Sequence, residues 1–176
     1  MIAHFQLMAR YNRWANQRLL AAAGTLHEEA LWADRGLFFH SFLGTMNHLL
    51  VGDTMWLARF QGEPPPVGLA LDSVLHRELP DFIAAREALD ERILAFTKGL
   101  KDAQLGTILD YRTSNGDQVS SPFAGTLSHM FNHQTHHRGQ AHGALTGLGA
   151  QVPGLDLIYF IRQGGGITSK PLGSGG

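Results

Sequence analysis

Ten histidines stand in this 176-residue chain, five of them between His129 and His142, and there is no cysteine anywhere. A clustered supply of imidazole without any thiolate points to metal coordination by nitrogen. His129, His133 and His137 follow one another at intervals of four. An α-helix advances about 100° per residue, so neighbours in that series lie only roughly 40° apart on one face. Two imidazoles so placed can converge on one ion, which is why paired helical metal ligands use this spacing. The zinc-protease pattern His-Glu-x-x-His is not met, because Gln134 occupies the glutamate position. No general base arrives by that route.

The apolar residues choose between the two available pairs. Phe123, Leu127, Met130, Ala141, Ala144, Leu145 and Leu148 define the buried arc of the histidine-bearing helix. His137 lies within that arc and His133 at its edge. His129 falls further out, and His136 is about 100° from His137, toward solvent. The expected pair is therefore His133 and His137, with Gln140 one turn further on. Spacing does not identify a third ligand: His4, His27, His40, His48 and His76 all remain available. His48 sits off the centre of the apolar arc of its own helix, yet that helix is apolar nearly all round, so its imidazole can still face inward.

The elements that must carry these side chains are readable from periodicity. Residues 2–23 read as a first helix, with Phe5, Met8, Ala15 and Leu19 on one stripe and Gly24 as its stop. A second helix runs from about Ser41 to Phe60 and ends at Gly62 and Pro64-Pro65-Pro66. Asp72 or Ser73 can cap a third, in which Leu75, Leu79, Phe82, Leu89, Ile93 and Phe96 form a seam interrupted by Arg86; Pro80 either kinks this helix or marks its real start. Residues 108–120, with Asn115-Gly116 between short strand-like runs, read as a hairpin with a tight turn. Ser121-Pro122 opens the histidine-bearing helix, which runs to Gly147 or Gly149. A short fifth helix is expected near Asp156 to Arg162, followed by a loose Gly/Ser-rich tail over 164–176. The expected fold is all-α: an antiparallel four-helix bundle with a small hairpin insertion and a short C-terminal helix, one domain over residues 1–163.

Composition narrows the function classes. Hydrophobic residues make up 44% and charged residues 16%, a globular composition, and the formal net charge is -1. Nucleic acid demands a concentrated basic surface, which this balance does not provide. No apolar run approaches the ~20 residues of a membrane span, and the first residues do not read as a secretory signal. The expectation is a cytoplasmic protein without nucleic-acid or membrane partners. The absence of cysteine removes disulfides, thiolate ligands and a cysteine nucleophile.

Three runs of residues carry a resemblance. They are Tyr11-Asn12-Arg13-Trp14-Ala15-Asn16-Gln17-Arg18-Leu19; Asn47-His48-Leu49-Leu50 with Gly52-Asp53 and Trp56-Leu57-Ala58-Arg59; and the most specific, His129-Met130-Phe131-Asn132-His133-Gln134-Thr135-His136-His137-Arg138-Gly139-Gln140. Over nearly its whole length the chain resembles the DinB/YfiT-type family of metalloenzymes. The resemblance implies a four-helix bundle, usually paired into a homodimer. It also implies three metal-ligating histidines at His48, His133 and His137, so it supplies the ligand that helical geometry left open. Related proteins include transferases and isomerases that use low-molecular-weight thiols.

Three neutral imidazoles leave a divalent ion at least one position for water or substrate, the arrangement of a catalytic site. Zinc is the first expectation, and nickel or iron would accept the same set. Such an ion lowers the pKa of water or of an incoming thiol. The leading expectation is thiol-dependent S-transferase chemistry on a small-molecule substrate. Metal-dependent hydrolysis, or a non-catalytic metal-binding stress-response protein, are the alternatives. Gln140 is the candidate for fixing a ligand's second ring nitrogen or touching substrate. Asp53 falls within an apolar arc and is expected to pair with a buried arginine. Arg138 is expected to pair with an acid or, failing that, to meet an anionic substrate. Trp14, Tyr11 and Trp56 are expected to pack.

Overall fold

The structure, a computed structural model, describes residues 1–165. Four long helices form its frame: α1 (Ile2–Ala23), α3 (Phe42–Gln61), α4 (Leu79–Gly99) and α6 (Phe123–Gly147). Two short helices, α2 (Glu28–Trp32) and α5 (Asp102–Leu105), fill connections. Strands β1 (Ile108–Arg112) and β2 (Gln118–Pro122) form an antiparallel hairpin, and α7 (Leu157–Phe160) lies near the C-terminal end. The chain is thus mostly helical with one small sheet. α1 packs on α4 and α6, and α3 packs on α6 and α4, so each long helix has two long neighbours. Phe5, Leu19, Met46, Phe82, Ile93 and Leu127 meet in the shared core. Among the described residues no helix is long and apolar enough to cross a membrane.

α3 matters most to the site, and its ends are well specified. The Ser41 hydroxyl accepts from the Gly44 N–H at 3.0 Å, and Gly62 closes the helix in the left-handed conformation, φ 71°. Position 44 also requires glycine, because a Cβ there would strike the Phe39 carbonyl oxygen. The segment before α3 therefore folds tightly over the first turn of the helix. α3 is buried on nearly all sides, in keeping with its apolar sequence.

Several boundaries differ from expectation. Asp72 and Ser73 do not cap a helix; α4 begins at Leu79 with Pro80 in its first turn, and Leu75 lies outside it, partly exposed. A proline is pre-organised for a helix's opening turn and costly anywhere later, so Pro80 fixes the start. The hairpin connection is the five residues 113–117, with Gly116 at φ 92° and the Thr113 N–H donating to the Asp117 carbonyl at 2.9 Å, where a tight turn at Asn115-Gly116 was expected. Pro122 ends β2, and α6 starts one residue later. The expected helix over 156–162 is shorter, and Ile161–Gly165 continue it as a wider turn that includes Gly164 and Gly165 of the expected tail. The rest of that tail, residues 166–176, lies outside the described residues.

Candidate metal centre

His48 projects from α3, and His133 and His137 project from consecutive turns of α6, the helix packed against it. One ring nitrogen from each falls within 4.8 Å of the other two. His48 Nε2 and His133 Nε2 are 3.0 Å apart. Two imidazoles on one zinc ion, with Zn–N of ~2.0–2.1 Å at tetrahedral angles, have their nitrogens roughly 3.3 Å apart. The donor set fits a divalent ion of the zinc, nickel or iron kind.

The far side of two of these rings is already held. His48 Nδ1 lies 2.8 Å from the Leu71 carbonyl oxygen, which can only accept, so Nδ1 carries the proton and Nε2 keeps its lone pair. His137 Nδ1 lies 2.8 Å from Gln140 Oε1, whose amide nitrogen faces His136 Nε2 at 3.3 Å. That places Gln140 behind a histidine of the group, where it fixes ring orientation and tautomer. Phe39 stacks on His48 with ring centres 3.8 Å apart and meets His137 edge-on at 5.6 Å. Gly52, one turn beyond His48, faces His133: a Cβ there would lie 3.4 Å from His133 Cε1, in van der Waals contact with that ring.

All three rings are held neutral. Burial lowers the pKa of His48 and of His137, and burial reinforced by the neighbouring imidazoles pushes His133 down to about 3. This has a sign that can be measured in chelator-treated protein. Between His133's folded value and the ordinary 6.5, the unfolded chain binds a proton that the folded chain does not, so this contribution to stability is full above 6.5 and is lost as pH falls. Asp53, pushed up from 3.8 to about 6 by burial against the pull of Arg86, acts oppositely between those two values. The His133 effect is therefore read by difference. From pH 7 to pH 5 the urea midpoint of wild type is expected to fall relative to that of His133→Asn; parallel pH profiles would contradict it.

Beneath the histidines runs a buried polar network that ties the four long helices together. Arg86, 1% exposed, makes ion pairs with Asp53 at 2.7 Å and Asp90 at 2.9 Å, both carboxylates fully enclosed. Asp53 also accepts from the Gln134 side chain, so the residue next to His133 is fastened to the helix that carries His48. Asn16 donates to both Asp90 oxygens at 3.1 and 3.2 Å. Arg138 Nη1 donates to Asn12 Oδ1 at 2.5 Å and to Asn16 Oδ1 at 3.2 Å, with its guanidinium over the Tyr11 ring. Burial lowers the Arg138 pKa, whereas for Arg86 burial pulls down but Asp90 and Asp53 outweigh it and raise the value.

Asp53 thus pairs with a buried arginine as its place in an apolar arc implied. Arg138 does not do what was expected of it: among the described residues it forms no ion pair with an acid, and it takes the amide oxygens of α1 in the interior. His129 and His136 are exposed, and His4, His27, His40 and His76 stand apart from the three-histidine group. Tyr11 and Trp14 pack with Phe160. Trp56 packs on Phe60 but also lines a cavity of about 240 Å³ whose wall includes His48, Gly52, Arg59, Tyr111, His129 and His133. Sequence reasoning missed the cavity, Gly52, Phe39 and the Leu71 carbonyl. The glycine inside a strongly apolar helix was the one local signal, since glycine there costs about 1 kcal/mol without a packing reason.

A mostly helical frame presenting three convergent imidazoles from two helices defines a class of helical proteins able to hold a metal ion. Residues 1–166 match the model of the DinB family, and the chain belongs to that family. It is 26% identical over 156 residues to Protein DinB of Bacillus subtilis (strain 168), covering 86% of this chain and 90% of that protein. It also superposes on the crystal structure of a DinB-like protein from Bacillus cereus ATCC 10987 with a TM-score of 0.59, at 23% identity, over 82% of this chain and 90% of that one, a likeness of fold.

Proposed function

We propose that this protein is a divalent-metal-dependent enzyme, a thiol-dependent S-transferase acting on a small molecule, built on an antiparallel four-helix bundle and working as a cytoplasmic homodimer. The observation that carries the reading is the pairing of three neutral imidazoles with a cavity that shares two of them, His48 and His133, as wall. His48, His133 and His137 would hold a divalent ion, zinc first, which when bound would supply Lewis acidity to a nucleophile entering the cavity.

The choice of nucleophile follows from what the cavity wall lacks and offers. Its lining contains no carboxylate, and Gln134 is spent on Asp53, so no acid side chain at the wall can serve as a general base. A nucleophile that gives up its proton readily suits such a wall, and a free thiol at pKa ~8.5 starts well below free water at ~15.7, although a bound ion would lower both. His129, exposed on the wall and outside the ligand set, stands where it can receive that proton. Met55, Trp56 and Leu71 provide an apolar bed for the electrophile.

The test is consumption of bacillithiol, mycothiol or glutathione by metal-loaded protein with a panel of electrophiles. Thiol loss is expected only with metal and is expected to vanish in His137→Ala. No thiol loss across the panel would remove the transferase reading. Metal-dependent cleavage of esters or amides without thiol would assign hydrolysis instead, and tight metal binding with neither reaction would leave a metal-holding protein.

A further inference from the structure

Arg59 lies on the wall of the 240 Å³ cavity, about three turns along α3 from His48. Its guanidinium carbon sits 4.7 Å from the centre of the Trp56 ring and 5.0 Å from that of Tyr111, so two aromatic rings hold it in place. Nη2 donates to the Arg112 carbonyl at 2.8 Å, which ties α3 to the hairpin. Nε is enclosed and has no hydrogen-bond partner. Among the described residues no carboxylate stands within 4.0 Å of this side chain. The two fully buried arginines have partners, two carboxylates for Arg86 and two amide oxygens for Arg138, while Arg18, over Trp14 and also with an unpartnered Nε, is not on the wall of this cavity.

A guanidinium stays protonated under all ordinary conditions, and partial burial without a counter-charge is unfavourable unless something supplies one. The cavity lining contains no aspartate or glutamate; besides Arg59 its polar side chains are imidazoles, the Trp56 indole and the hydroxyls of Tyr111, Thr113 and Ser114 from the hairpin. The one charge built into the wall is therefore positive, planar and held against two aromatic rings, a form suited to recognition of an oxyanion. The cavity lies just below the roughly 300–1,000 Å³ of drug-sized pockets, which suits a metabolite-sized molecule.

We infer that Arg59 is the specificity-determining residue of this cavity, receiving the carboxylate, or an equivalent compact oxyanion, of a substrate whose apolar body lies along Met55, Trp56 and Leu71 and whose reacting end reaches His48 and His133. The anionic end rests on the cavity alone; the reacting end rests on the metal-dependent reading above. Two sources share this chemistry, the electrophile and the thiol. An arginine that merely fastened the hairpin would instead show no preference for charge.

The experiment measures equilibrium binding to the full chain by calorimetry, metal-free and with one equivalent of zinc. Phenylacetate through 4-phenylbutanoate are compared with their neutral amides, and N-acetylcysteine with N-acetylcysteinamide. In wild type the carboxylate of at least one pair is expected to bind about tenfold more tightly than its amide in both metal states. Arg59→Gln is expected to erase that preference, and Arg59→Lys to keep part of it while retaining the charge and the hairpin. Which pair responds tells whether electrophile or thiol carries the anion. Equal binding of acid and amide in every pair, a preference that persists in Arg59→Gln, or a preference present only with zinc would each overturn the inference. Charge selectivity without thiol turnover would leave Arg59's role standing and remove the transferase reading; turnover without charge selectivity would do the reverse.

Discussion

Replacing Arg86 by methionine is expected to cost roughly 3–5 kcal/mol of stability, the range found when one partner is removed from a buried ion pair. The guanidinium lies between Asp53 and Asp90, and all three side chains are at most 2% exposed. Without it, two carboxylates remain in the interior with only amide donors, from Gln134 to Asp53 and from Asn12 and Asn16 to Asp90. One of them must take up a proton, or water must enter, and either disrupts the packing of α3, α4 and α6. Against a total of about 5–15 kcal/mol for a typical domain, the loss is large. It is read as a lower urea midpoint at an unchanged slope. Two features separate this cause from simple loss of volume. Asp53 already has a folded pKa above its unfolded one, and removing Arg86 raises it further, so the variant's deficit should shrink as pH falls and grow as pH rises through about 6. Converting Asp53 and Asp90 to asparagine in the same chain should also recover part of the loss, because uncompensated charge is the main cost. An Arg86→Met stability within about 0.5 kcal/mol of wild type, the range of an ordinary surface substitution, would contradict the account.

Much of this arrangement was readable one helix at a time. His133 and His137 could be chosen over His129 because α6 has a polar face against which an apolar arc stands out. His48 could not be placed that way, since α3 is apolar nearly all round and a helical wheel has no direction to offer there. Asp53 and Arg86 were each visible as misfits in an apolar pattern, and two opposite misfits on different helices are what a buried pair looks like in sequence. Arg138 defeated the same logic. It is one residue, about 100°, from His137, and its surroundings are set by Asn12 and Asn16 on α1, whose polarity gives no hint of burial. The cavity was invisible because its far wall, Tyr111, Thr113 and Ser114, is brought in by a hairpin distant in sequence from α3. The helices α2 and α5, at five and four residues, are too short for periodicity to register.

His133→Ala is expected to remove stoichiometric metal altogether, with elemental analysis giving about one equivalent in wild type and none in the variant after desalting. His133 is the central member of the group: its Nε2 is 3.0 Å from His48 Nε2, and its ring centre is 4.5 Å from that of His137. Truncating it leaves two imidazoles on different helices. Loss of a partner that only orients a ligand already costs 10–100-fold in affinity, so loss of the ligand should exceed the upper end of that range. Gln140→Leu supplies the internal comparison, since it leaves all three donors and removes only the acceptor 2.8 Å behind His137; its metal affinity should fall within roughly that range, between wild type and His133→Ala. The thermal readout follows from mass action: metal at a hundred times its Kd stabilises wild type by about 2.7 kcal/mol and should leave His133→Ala unmoved. His133 is only half-buried, so the variant's far-UV circular dichroism should match wild type and exclude unfolding as the reason for the loss. If His133→Ala retained a full equivalent at wild-type affinity, the ion would have to be held elsewhere, and the three nitrogens on α3 and α6 would be no more than a hydrogen-bonded cluster.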